Sequence, residues 1–202
     1  MKTRAITSVV LMAGVLAHAQ SIGANAEPTV TVCMERIDTH ASFAVPARAR
    51  ELASQMFAGI GLVIEWRNGL PGCPAQGIRI SLSYDTPESL KPGALAYALP
   101  YEGTHIRVFY DRIARNPCHR LIPIVLAHVL VHEITHILQG ICRHSDDGIM
   151  KARWNQDDLQ RMAFKPLRFA AEDVDLIYRG LALRAARASV AMDTARAPVA
   201  AQ

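Results

Sequence analysis

His132 and His136 stand four residues apart in the run HEITHILQGICRHSDDGIM (132–150), with Glu133 beside the first of them. On a helix that spacing sets both imidazoles on one side, where each can offer a ring nitrogen to the same cation. Glu133 lies about 100° further round the helix, so its carboxylate can approach a water at the ion without becoming a ligand. Zinc suits two imidazoles and takes a third protein ligand, leaving a fourth position open. Gly140 should end the helix, because glycine readily takes the left-handed conformation that turns a chain back. His144 follows four residues later, within reach of a short loop folding towards the metal. Two groups compete for that third place. Cys142 would bind zinc well as a thiolate. Glu172, in FAAEDVDLIYRG, sits on a downstream helix, where it also suits a first-turn position facing the helix dipole. The chemistry of such a set is hydrolysis, with Glu133 as general base towards an activated water.

Several elements must position these groups. TVTVCMERI (29–37) alternates like a strand, and AVPARARELASQMFAGIG (44–61) has helical apolar spacing with Gly59 and Gly61 as a stop. LVIEWR (62–67) reads as a short strand and GIRISLSYD (77–85) as a cleanly alternating one, with a Pro- and Gly-rich loop between them. Ala94–Leu99 and His105–Tyr110 are strand-like pieces joined by a turn at Tyr101–Gly103. One of these two could be a sheet edge that pairs with an extended substrate. From Leu121 to Gln139 the period is helical, a shorter helix is expected at Asp157–Phe164 behind an Asn155 cap, and Ala170–Arg187 is a final amphipathic helix. His128, one turn before His132, reads as a packed histidine bonding a backbone carbonyl, since each four-residue step drifts about 40° round the helix. Trp154 suits either a pocket wall or the core.

The 202 residues suit a single domain with a proper core. Residues 1–26 read as a signal peptide, with Lys2 and Arg4 ahead of the apolar ITSVVLMAGVLA (6–17) and small-residue cleavage sites near 19 and 26. The expected product is a secreted or periplasmic chain, with no other segment approaching about 18 apolar residues and no stable membrane association after cleavage. Loss of Lys2 and Arg4 takes the formal charge from +4 to about +2, too weak and scattered for nucleic acid. The domain should occupy 27–190, with 191–202 a disordered Ala-rich tail. Four cysteines in an exported chain favour two disulfides, and proximity in sequence favours Cys33–Cys73 and Cys118–Cys142.

The 132–150 run resembles the metzincin clan of zinc metalloproteases, whose usual pattern is H-E-x-x-H-x-x-G-x-x-H followed by a methionine turn. Here one extra residue stands on each side of the glycine, giving H-E-x-x-H-x-x-x-G-x-x-x-H. His144-Ser145 followed by Gly148-Ile149-Met150 is similar to the turn of matrixin-like members, and Ala127-His128-Val129 with Lys151-Ala152-Arg153-Trp154 is similar to strings in uncharacterised bacterial zinc peptidases. The resemblance implies an α+β fold, a mixed twisted sheet with an active-site helix and a C-terminal helix. It implies zinc held by His132, His136 and His144, Glu133 as general base, and Met150 as a hydrophobic floor. It implies a peptide or protein substrate cut by a zinc endopeptidase. Ala152 stands where astacin-like and serralysin-like members carry a tyrosine ligand. Two other functions stay open: a catalytically weak zinc-binding domain for protein interaction, and an exported globular domain without metal.

Overall fold

The computed structural model describes residues 27–35 and 44–196, with side chains as far as residue 191. The expected signal peptide therefore lies outside the described residues. Eleven elements follow in order: β1 (Thr29–Met34), α1 (Ala44–Ala58), β2 (Val63–Asn68), β3 (Ile78–Ser83), β4 (Ala96–Leu99), β5 (His105–Phe109), α2 (Tyr110–Ala114), a 3-10 turn at His119–Leu121, α3 (Ile122–Gln139), α4 (Gln156–Phe164) and α5 (Ala171–Arg196).

The five strands form one sheet in the order β2-β1-β3-β5-β4. β1 runs parallel to β2 and β3, β3 runs parallel to β5, and only β4 is antiparallel, at the edge. Alternation explains why one face suffices as a core. Val30, Val32 and Met34, then Ile78, Ile80 and Leu82, then Ile106 and Val108 are buried, while Thr31, Glu65, Arg67 and Arg107 lie on the other side. The apolar face packs under α1, through Ala49, Ala53, Met56 and Phe57, and under α3.

β2 and β3 flank β1 in parallel, so their connection has to cross over β1. Cys33 of β1 turns away from the core and bonds Cys73 of that connection, with Cα atoms 5.9 Å apart. Closing a 40-residue separation in this way is worth about 4 kcal/mol on chain-entropy grounds. The other expected bridge is not formed: Cys118 and Cys142 are exposed free thiols. They stand before and after the 18-residue α3, whose ends are about 27 Å apart at 1.5 Å per residue. No disulfide spans that distance.

α3 is apolar on nearly every side and all but two of its residues are buried, as a helix without a polar face must be. With its leading turn (His119–Gln139) it is long and apolar enough to cross a membrane, contrary to the expectation that no such segment follows residue 26; 83% of the apolar window is buried inside the domain. Two further boundaries differ. Tyr110 opens α2 and does not close a strand, because Asp111 takes up the Thr86 hydroxyl and amide and bends the chain away from the sheet. The final helix continues past Arg187 to Arg196, into the segment expected to be disordered, carried by the helix-forming alanines at 185, 186, 188 and 191.

Candidate metal centre

α3 brings His132, Glu133 and His136 to its buried side, and Gly140 closes it in the left-handed conformation (φ 70°), with its N–H bonded to the His136 carbonyl. The chain then doubles back through 141–144. His144 arrives beside the first two histidines, its ring centroid 5.2 Å from that of His132 and 4.9 Å from that of His136. One donor atom from each of the three residues lies within 4.8 Å of the others, the only such group among the described residues.

The hydrogen bonds around the rings decide what this cluster can hold. His132 Nδ1 lies 2.9 Å from the Ile149 carbonyl and His136 Nδ1 lies 3.1 Å from the Ile141 carbonyl. A carbonyl only accepts, so each Nδ1 must carry the proton and each Nε2 is left with a bare lone pair. Those two Nε2 atoms are 3.1 Å apart. Two lone pairs at that distance repel unless something positive sits against them. Burial also keeps both rings neutral, pushing each from the ordinary 6.5 down to about 4. Neutral rings fixed by carbonyls, with free nitrogens converging, are the donor set that a zinc ion requires.

The turn after His144, whose Ile149 carbonyl meets His132 Nδ1, is itself tied down. The Ser145 N–H bonds the Met150 carbonyl at 2.9 Å and the Ile149 N–H bonds the Arg168 carbonyl at 2.9 Å. Gly148, at φ 78°, lies so close to that same carbonyl that no side chain would fit. Met150 is completely buried. Trp154 sets its ring edge-on to His132 at 5.6 Å, while its buried indole nitrogen has no hydrogen-bond partner.

Glu133 is buried as well, and burial drives its carboxyl from 4.5 up to about 8; the Lys91 charge and the backbone amide of Ala98 act the other way. Ala98 belongs to β4. The Phe109 N–H bonds the Leu95 carbonyl, and the register pairs Ala96 with Val108. Ladder bonds alternate along an antiparallel pair, so Ala96 and Ala98 turn their N–H and C=O groups outward at the open edge. β5 lies between β3 and β4, so of the two strands considered from the sequence only β4 has a free edge.

Residues the sequence left open fall outside the cluster. Cys142 is exposed, and Glu172 pairs with Arg143. His128 is fully buried, with Nδ1 bonded to the Ile124 carbonyl at 2.7 Å and Nε2 accepting the Leu167 N–H at 3.1 Å, so both nitrogens are used. Asp173 joins the surroundings of the site without a sequence signal. It is a buried carboxylate on α5 that accepts hydrogen bonds from Ser145 and Arg143, on either side of His144. Nothing in its local pattern separates it from an ordinary first-turn acid.

The shifts give a pH dependence for protein stripped of metal by chelation. His132 and His136 bind fewer protons folded than unfolded between about 4 and 6.5, so stability falls as pH drops through that window. Glu133 binds more protons folded than unfolded between 4.5 and about 8, so its contribution is lost as pH rises through about 8. Urea melts of the chelated protein should therefore peak near pH 6.5. Glu133→Gln should remove the alkaline decline and leave the acid one.

No protein-family model matches this chain, and no curated protein matches it. Among solved structures, the fold is similar to the crystal structure of archaemetzincin from Methanopyrus kandleri, with a TM-score of 0.53 and 16% sequence identity over 76% of this chain and 96% of that one. At that identity the likeness speaks for the architecture alone: the chain has a metzincin-like fold, a five-stranded mixed sheet backed by helices, with three histidines converging at one end of its core helix.

Proposed function

We propose that this protein is an exported zinc metallopeptidase that cleaves peptide bonds within protein or peptide substrates, with His132, His136 and His144 as the zinc ligands. The observation that carries the reading is the pair of Nε2 atoms 3.1 Å apart, with both Nδ1 atoms committed to backbone carbonyls and a third imidazole beside them. A purely structural histidine cluster would be joined by N–H donors. The likeness in fold to a solved archaemetzincin supports it. Export is supported by the charged and apolar pattern of residues 1–26 and by a disulfide joining Cys33 to Cys73.

Zinc held by the three histidines would supply Lewis acidity towards a water molecule and the scissile carbonyl. Glu133 takes a proton from that water at its carboxylate, holds it, and delivers it to the departing amine. A cation held by the three histidines would favour the ionised carboxylate that can take the proton, and burial favours the protonated form that holds it. The free edge of β4 receives the extended substrate: the outward Ala96 N–H and the outward C=O groups of Ala96 and Ala98 bond its backbone and lay it along α3 beside Glu133, to which the Ala98 N–H is already committed. Met150, fully buried in the turn that follows His144, would form the apolar floor of the site. Glu133 also separates this reading from a zinc-binding interaction domain, which has no use for a buried carboxylate at that place.

The test is hydrolysis of casein or a quenched fluorescent peptide library by the purified mature chain. We expect cleavage that stops on chelation and returns with one equivalent of zinc. A zinc-loaded protein that cleaves nothing across the library would support the interaction domain instead.

A further inference from the structure

His132 and His136 are each fixed by a carbonyl on Nδ1, whereas no hydrogen bond holds the His144 ring among the described residues. The position of the third ring therefore has to come from its backbone. Both neighbours of His144 are tied to one group. Ser145 Oγ lies 2.8 Å from both oxygens of the Asp173 carboxylate, and Arg143 Nη1 lies 3.0 Å from one of them. The other end of the loop is tied to the same residue, since the Gln139 side-chain amide bonds the Asp173 backbone carbonyl at 3.2 Å. We propose that Asp173 is a positioning residue for the metal centre, a buried clamp on α5 that holds the 140–145 loop so that His144 completes the three-histidine set.

The inference rests on the metal-binding reading above. Its physical basis is the cost of freedom: an unrestrained loop must be ordered each time the ion binds, and that entropy is subtracted from affinity. The Asp173 carboxylate is almost fully buried, 1% exposed, and the Arg143 guanidinium offsets its charge. Its hydrogen bonds are therefore shielded from water and strong. Asp173 accepts the Ala170 N–H as well, capping its own helix. Ser145→Ala is therefore needed as a second variant that loosens the loop without touching that cap.

The experiment measures zinc affinity by competition with a chromogenic chelator for the wild type, Asp173→Asn, Ser145→Ala, His144→Ala and the double variant His144→Ala/Asp173→Asn. Amide exchange is read in parallel on the chelated proteins. Asp173→Asn should weaken zinc binding by about 10- to 100-fold, as loss of a group that orients a ligand typically does, with Ser145→Ala weakening it less. Exchange should quicken at residues 141–146 and stay unchanged in the middle of α3. In the His144→Ala background, Asp173→Asn should alter affinity by no more than about twofold, because the ring it positions is gone. Equal losses in both backgrounds, or unchanged exchange in the loop, would overturn the proposal and leave the three-histidine centre standing. A wild-type chain that binds no zinc would overturn the metal reading and the proposal together.

Discussion

Glu133→Gln should lower peptide hydrolysis by about 10²- to 10⁴-fold, the usual contribution of a general base, while the purified variant keeps its zinc. Glutamine has the size and shape of glutamate but cannot accept the proton of the attacking water. It should not disturb the ion, because the converging donors are three imidazoles and Glu133 is not among them. It should not disturb the fold either, since the carboxyl is buried and burial favours its neutral form. Steady-state kinetics with zinc analysis on the same preparation checks both halves. Retained hydrolysis would move the base elsewhere, and lost zinc would make Glu133 a ligand.

Gly180→Ala should cost the fold about 3 kcal/mol or more, at the upper end of what overpacking does, and lower Tm by roughly 6–12 °C. α5 crosses α3 at this residue. A Cβ placed on Gly180 would overlap the Leu138 carbonyl oxygen and lie 3.3 Å from the Gln139 Cα. These are backbone atoms in the last turn before Gly140, so no side chain can swing aside. Pushing α5 away would also separate Asp173 from Gln139 and the His144 loop. Within an isolated helix the same change would be stabilising by roughly 0.5–1 kcal/mol, so the two expectations have opposite signs. Thermal melts decide between them, and a raised Tm would mean that the helices do not meet there.

What could be read from the sequence divides along the range of the forces involved. The H-E-x-x-H spacing, the glycine stop at Gly140 and the alternation of β3 are set by neighbours a few residues apart, and each is found where the spacing puts it. The exposed face of the mixed sheet is equally visible in the alternating charges of β2 and β5. The Asp173 clamp is different, because it joins residues 28 and 30 positions apart through a carboxylate that resembles any helix-starting acid. The open edge of β4 depends on strand order, which no local pattern encodes. The failed Cys118–Cys142 pairing shows the reverse lesson. Nearness in sequence favours that pairing, but helix length decides it, and an 18-residue helix between two cysteines keeps them apart. α5 runs past Arg187 because alanine is the residue least costly to a helix, although alanine between arginines reads as a frayed terminus.

Which side chains hold the ion is tested most directly by zinc stoichiometry, measured by mass spectrometry of the native protein across the wild type, His144→Ala, Cys142→Ala and Glu172→Ala. One zinc per chain is expected in the wild type and in the Cys142 and Glu172 variants, with zinc lost from His144→Ala at concentrations that saturate the others. Zinc kept by His144→Ala but lost from Cys142→Ala or Glu172→Ala would contradict the three-histidine centre.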